Sequence, residues 1–241
     1  MANENKDKVG EGAFGLVLRT VYEEYDAMVK VPRLGDFFAS HFLHEAQVLR
    51  YLDGAGGAPR LLHLGPPEDP RIFMTSAGST TLQHLLDEEA LDEQGVVQTV
   101  LSVALRVQEV HAKGVVHNDL KADNVMVSAA CDQSGLHQVN LIDFGLSTFT
   151  REVERPQFEL HESYGDCSVM FEEGDPANDV VDLGSMLKEA LDEVCFLGSE
   201  EALGGALATL MEAMMRESAS DRPDIGEVIL SLQFLVGRGK S

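Results

Sequence analysis

Two short polar clusters hold the residues best suited to chemistry in this chain. The first is His117-Asn118-Asp119-Leu120-Lys121-Ala122-Asp123-Asn124, which runs straight into the apolar Val125-Met126-Val127. The second is Asp143-Phe144-Gly145, directly after Leu141-Ile142. Each cluster abuts a strand-like run, a pattern that suits two loops at one edge of a small sheet with their carboxylates facing a shared cleft. Asp119, Asn124 and Asp143 offer oxygen ligands of the kind a hard divalent cation such as Mg2+ takes. Lys121 sets one positive charge among them, as transfer of a polyanionic phosphoryl group requires. His117, taken alone, reads as a core histidine bonded to backbone.

A second cation lies far upstream, in Asp26-Ala27-Met28-Val29-Lys30-Val31. A lysine in such a run either points into water at an edge or is buried beside a carboxylate. The segment from Asp36 to Leu52 reads as a helix, with Phe38, Phe42, Leu49 and Leu52 on one stripe and Glu45 on that same stripe. A Lys30–Glu45 pair would hold the ammonium ready for phosphate oxygens; a rotated helix would instead place Glu45 in water. Upstream again, Val9-Gly10-Glu11-Gly12-Ala13-Phe14-Gly15-Leu16-Val17-Leu18 sets three glycines around an aromatic tip between extended segments. Without side chains at Gly10 and Gly12, backbone amides could approach phosphates closely, although the same pattern also describes a plain hairpin.

The elements that must position these residues follow in order. Pro59 to Leu64 and Arg71 to Met74 read as strands joined by Gly65-Pro66-Pro67, and Ala77-Gly78-Ser79 reads as a hinge. A helix is predicted from Asp92 to Ala112, with Val96, Val100, Val103, Val107 and Val110 on one face and Leu101 and Ala104 widening it. β-branched residues are poor helix formers, so this segment must be held by packing, as a buried scaffold. Ser128 to Gly135 reads as a polar hairpin loop, and Leu146 to Ala177 as irregular chain. Helices are predicted from Asp179 to Leu191, Ala202 to Met215 and Ile225 to Val236, the last preceded by Asp221-Arg222-Pro223-Asp224. The terminal Gly239-Lys240-Ser241 is not a phosphate-binding loop, because Phe234 stands where the first glycine should be.

With 241 residues and 44% hydrophobic content, the chain suffices for one large domain or two small lobes. A formal net charge of −23 argues against nucleic acid and anionic membrane as partners, and it is compatible with basic proteins. No apolar run approaches a membrane span, and the polar start Met1-Ala2-Asn3-Glu4 does not resemble a secretion signal. Cys131, Cys167 and Cys195 lie far apart, as free thiols of a reducing compartment do. The expected location is cytoplasmic, with the nucleus left open.

In order and spacing, these residues together resemble the eukaryotic-type protein kinase family over nearly the whole chain. The resemblance implies an α+β, bilobal fold: a small, mostly antiparallel sheet with helix αC over residues 1–76, and a mainly helical lobe over 77–241. It implies ATP and Mg2+ as cofactors, and phosphoryl transfer to serine or threonine hydroxyls of a protein substrate. By the same resemblance, Gly10, Glu11, Gly12, Ala13, Phe14, Gly15, Val17, Ala27 and Met74 surround the nucleotide. Lys30 contacts the alpha and beta phosphates, and Glu45 on helix αC is its partner. Asp119 is the catalytic aspartate, Lys121 steadies the gamma phosphate, and Asn124 and Asp143 hold the metal. Leu49 packs against Phe144, Asp179 supports the catalytic-loop backbone, Gly184 belongs to the same helix motif, and Arg222 is a structural arginine. Lys121, two positions after Asp119, is the serine/threonine pattern.

Four departures qualify the resemblance. Asn118 stands where many members carry the arginine that receives an activation-loop phosphate, so activity independent of phosphorylation at Thr148, Thr150 or Ser163 is expected. Gly165-Asp166-Cys167 falls where Ala-Pro-Glu is usual, leaving Asp166 or Glu162 as partners for Arg222. Val181 replaces a usual tryptophan, and the interval from Gly184 to Arg222 is short, so helices that dock protein substrates look trimmed. Two alternatives therefore stand beside the protein kinase: a kinase-like phosphotransferase for small molecules and a nucleotide-binding scaffold without catalysis.

Overall fold

Alternating apolar residues and tight turns organise the first part of the chain into strands. The structure is a computed structural model and describes residues 8–12, 15–32, 36–131, 137–153, 173–194 and 201–238. β1 (Lys8–Gly12), β2 (Gly15–Tyr22) and β3 (Tyr25–Pro32) precede helix α1 (Asp36–Leu52), and β4 (Leu61–Leu64) and β5 (Ile72–Met74) follow it. They form one five-stranded sheet in the order β1-β2-β3-β5-β4, every neighbouring pair antiparallel. The turn between β1 and β2 requires glycine at its exit: a Cβ at Gly15 would lie 2.5 Å from the Val31 carbonyl oxygen.

Beyond Met74 the chain is chiefly helical. α2 (Leu82–Asp87), a single short helix not foreseen in the sequence, is capped by Thr81, whose hydroxyl accepts from the His84 amide at 3.1 Å. α3 (Glu93–Ala112) is capped by Asp92, which accepts from the Gly95 amide at 2.8 Å. Val96, Val100, Val103, Val107 and Val110 are each 0% exposed. Their weak propensity costs at most about 0.7 kcal/mol each, while burial of each side chain contributes about 1.5 kcal/mol or more, so packing decides the helix.

β6 (Val115–Val116) then leads to the first polar cluster, and β7 (Val125–Cys131) with β8 (His137–Leu141) forms an antiparallel hairpin between that cluster and the second. β7 thus continues through Ser128 to Cys131, where the sequence had suggested loop; the small residues there extend the backbone ladder as far as the Cys131–His137 pair. β9 (Thr148–Phe149) pairs with β6, giving order to the start of a stretch read as irregular. α4 (Ala177–Val194), α5 (Glu201–Met214) and α6 (Ile225–Arg238) complete the chain. Asp224 and Glu227 cap α6 reciprocally, each accepting the other's amide at 2.9 Å.

α3 is the central scaffold, packed by α4, α6 and β8. α4 and α5 approach closely at Gly184, where a Cβ would lie 2.9 Å from that of Met214. No described helix is long and apolar enough to cross a membrane. The segment between β5 and α2 is tied to the hairpin: Asn140 donates to the Ala77 carbonyl at 2.7 Å, and Val127 N–H donates to the Thr80 carbonyl at 2.8 Å.

Candidate active site

Lys30 sits in the middle of β3 and is only 4% exposed, so it takes the buried placement of the two that its sequence allowed. Its Nζ lies 2.5 Å from Glu45 Oε2 and 2.9 Å from Asp143 Oδ1. Glu45 is 2% exposed on the face of α1 that also buries Phe42, Leu49 and Leu52. Phe42, Glu45, Leu49 and Leu52 of the sequence's stripe thus share one face, and the contact with Lys30 accounts for the carboxylate among them; the Phe38 side chain lies outside the described residues. Burial tends to lower the Lys30 pKa, but Glu45 and then Asp143 more than offset this, and the ammonium is raised above its ordinary value. On Glu45, burial dominates and pushes the carboxyl up, with Lys30 opposing and Asp143 adding to it. Two carboxylates within 2.9 Å of one ammonium keep Lys30 charged, so the direction that governs the cluster is that of Lys30.

The loop after β6 has no regular backbone pairing of its own, and side chains hold its amides instead. Asp179, at the start of α4 and 0% exposed, accepts from the His117 amide at 2.9 Å and the Asn118 amide at 2.8 Å. It also accepts from His111 Nε2 at 2.7 Å. His117 is wholly buried, its Nε2 3.0 Å from the Ile142 carbonyl oxygen and its ring 4.7 Å from that of Phe144. It is the core histidine that its sequence context suggested. Lys121 Nζ lies 2.8 and 3.0 Å from the two Asp119 carboxylate oxygens. Asn124 Nδ2 donates to the Asp119 carbonyl at 2.8 Å and to Asp119 Oδ2 at 2.9 Å, which turns its Oδ1 to other uses.

The chain leaving Asp143 is anchored from several sides. Asp143 itself takes a left-handed conformation (φ 64°), as does Asn118 (φ 61°), a region that aspartate and asparagine tolerate best among residues other than glycine. Phe144 and Leu49 are both buried in one apolar cluster, and α1 packs against the turn that begins at Phe144. His44 Nε2 lies 2.6 Å from the Ser147 carbonyl oxygen. Asn118 Nδ2 donates to Thr148 Oγ1 at 2.7 Å and to the Leu146 carbonyl at 3.2 Å, while Asn178 donates to Asn118 Oδ1 at 3.2 Å. The position that lacks arginine is therefore occupied by an uncharged amide that grips the same segment.

These groups border a cleft of about 700 Å³, reached by Gly10, Glu11, Gly15, Val17, Lys30, Glu45 and Met74 from the sheet side. Asp119, Lys121, Asn124 and Asp143 border it from the other side. A Cβ at Gly10 would meet nothing within 4 Å, so the roof has room where a ligand could lie close to backbone. Ala27 does not border the cleft; Met28 does. Side chains alternate along β3, so the residue sharing a face with Lys30 is two positions before it, and Ala27 is buried on the opposite face. Gly12 closes β1 opposite Gly15, whereas Ala13 and Phe14 lie outside the described residues. Met126, Ile142 and Thr81 also border the cleft and were not singled out, since apolar and hydroxyl residues carry no chemical signature of their own.

Among the described residues, no cluster of three or more histidine, cysteine, aspartate or glutamate side chains is placed to enclose a metal ion. Asp143 and Asn124 supply two oxygen-bearing side chains at the cleft, which fits Mg2+, an ion that keeps waters and phosphate oxygens as its remaining ligands. Arg222 donates to the carbonyls of Arg216, Ala177 and Glu217 at 2.8, 2.9 and 3.2 Å. Asp166 and Glu162, its expected carboxylate partners, lie outside the described residues.

The profile of the protein kinase domain matches residues 3–201. The mitogen-activated protein kinase HOG1A of Wallemia ichthyophaga is 28% identical over 195 residues, 76% of this chain and 50% of its own length. The serine/threonine-protein kinase pkn3 of Myxococcus xanthus is 31% identical over 153 residues, 59% of this chain and 27% of its own length. The mitogen-activated protein kinase p38b of Drosophila melanogaster is 26% identical over 157 residues, 60% of this chain and 41% of its own length. The aligned stretch thus covers half or less of each of these relatives.

Proposed function

This chain belongs to the eukaryotic-type protein kinase family, and from that premise we propose that it transfers the gamma phosphate of ATP to serine and threonine hydroxyls of protein substrates. The observation that carries the reading is the position of Lys30, which bridges Glu45 of α1 and Asp143 across the cleft while Asp119, Lys121 and Asn124 stand on its other side. Such a site does little covalent work. It aligns a phosphate with a hydroxyl and offsets charge as it moves.

In this reading Lys30 contacts the alpha and beta phosphates, oriented by its two carboxylate partners. Asn124 and Asp143 hold Mg2+, whose chemistry is to screen the charge between phosphate groups. Asp119, fixed by Asn124, accepts the proton of the attacking hydroxyl. Lys121, half exposed and resting on the Asp119 carboxylate, turns toward the gamma phosphate. The net charge of −23 supports basic proteins as substrates. The wide spacing of Cys131, Cys167 and Cys195 supports a site of action inside the cell.

The test is incubation with labelled ATP and Mg2+, a broad serine/threonine peptide library and a panel of small alcohols, beside a Lys30→Met control. Label on peptide hydroxyls that disappears in the control is the expected result. Transfer to small alcohols alone, or equal transfer by the control, would reject the proposal.

A further inference from the structure

The loop that carries Asp119 hangs on side chains, and one of its supports is a residue outside the family motifs described above. Four consecutive amides, from His117 to Leu120, donate to side-chain acceptors. The first two go to Asp179, and the Asp119 amide reaches His117 Nδ1 at 3.3 Å. The Leu120 amide donates to Asp182 Oδ2, also at 3.3 Å. Asp179 and Asp182 are three residues apart on α4, so one helix face presents both carboxylates to the loop. Asp179 is wholly buried, while Asp182 is only partly so.

We propose that Asp182 is a positioning residue for Asp119: its ionised carboxylate holds the Leu120 amide, and its protonation loosens the loop as the medium turns acidic. The inference rests on the kinase reading for its catalytic consequence and on geometry alone for its structural one. A neutral carboxyl accepts a hydrogen bond far less strongly than a carboxylate, so the support weakens when the proton arrives. Burial raises the Asp182 pKa above the ordinary aspartate value; the Leu120 amide opposes this, Asp179 adds to it, His117 opposes it and Asp119 adds to it. Among the described residues these are the titratable groups that bear on Asp182. His111, on the packed α3, faces Asp179 instead. Asp179 is held by three donors, whereas the Leu120 amide is the backbone donor that Asp182 receives.

The test compares wild type, Asp182→Asn and Asp182→Ala in two ways. In backbone NMR, the Leu120 amide of the wild type should titrate below neutrality and that titration should vanish in Asp182→Asn. Amide hydrogen exchange at Leu120 should quicken about tenfold or more in Asp182→Ala. In phosphoryl transfer, Asp182→Ala should lower kcat about tenfold with KM for ATP unchanged. Asp182→Asn, whose amide oxygen can still accept, should stay within about threefold of wild type at pH 7 and lose part of the acid limb of kcat. A Leu120 resonance that titrates identically in Asp182→Asn would overturn the proposal, as would an unchanged acid limb. Because the NMR arm needs no turnover, an inactive wild type would reject the kinase reading while leaving this inference to be decided by Leu120. Should Asp182→Ala fail to fold, Asp182→Asn decides both arms.

Discussion

Replacing Lys30 by methionine should destabilise the protein in a manner that depends on pH. Lys30 is 4% exposed and Glu45 2%, so the variant leaves Glu45 enclosed with no cation beside it. Asp143 keeps 22% of its side chain accessible and can recover water, so the loss falls mainly on Glu45. Removing one member of a buried pair costs about 3–5 kcal/mol, a large share of the roughly 5–15 kcal/mol that holds a domain folded. Glu45 limits the loss by taking up a proton. Its folded pKa is already raised by burial, and without Lys30 the chief opposing influence is gone. A carboxyl raised in the folded state stabilises fully below its unfolded pKa, and that stabilisation disappears as pH rises toward and through the folded value. In the variant, stability should therefore fall by about 1.4 kcal/mol per pH unit between those two values. Urea unfolding at pH 5, 7 and 8 would read this out, with the midpoint at pH 7 lowered by about 1–2 M and partly recovered at pH 5. The double variant Lys30→Met/Glu45→Leu removes both charges and should return to within about 1 kcal/mol of wild type. A single variant as stable as wild type at pH 7, or a double variant less stable than the single, would refute the reasoning.

Three further outcomes are expected. Asp119→Asn should lower kcat by about 10²–10⁴-fold and leave ATP binding nearly unchanged, and turnover equal to wild type would remove Asp119 from its assigned role. Protein treated with phosphatase should retain its activity, because Asn118 already bonds Leu146 and Thr148 without a phosphate; an inert product restored by phosphorylation at Thr148, Thr150 or Ser163 would contradict this. Asp179→Ala strips acceptors from the His117 and Asn118 amides and should cost about 1–3 kcal/mol for each buried donor left without a partner, measured by thermal unfolding.

Periodicity carried most of the architecture. The valine face of α3 and the apolar stripe of α1 are read directly from residue types, because each helix buries one continuous face. Glu45 was recognisable as anomalous for the same reason. Ala27, Met28 and Val29 are all apolar, so residue type alone does not mark which of them meets the cleft, although counting two positions back from Lys30 along a strand gives Met28. Likewise α2 is too short for a periodic signal, and only its Thr81 cap announces it. Asp182 was missed because its function lies in a contact with Leu120, 62 residues earlier, and a lone acid on an amphipathic helix reads as solvated surface. The Lys30–Asp143 contact spans 113 residues and became visible only once sheet and loop were placed together.

His44 and Glu45 are neighbours on α1, yet they hold different parts of the machine: Glu45 the lysine of the sheet, His44 the main chain at Ser147. Adjacent residues on a helix diverge by about a third of a turn, so both grips hold only over a narrow range of helix orientation. A partner that levered this helix outward would part Lys30 from Glu45 and Ser147 from His44 in a single movement, leaving Asp143 as the partner of the ammonium. Control exerted there would act as a toggle, not a dimmer.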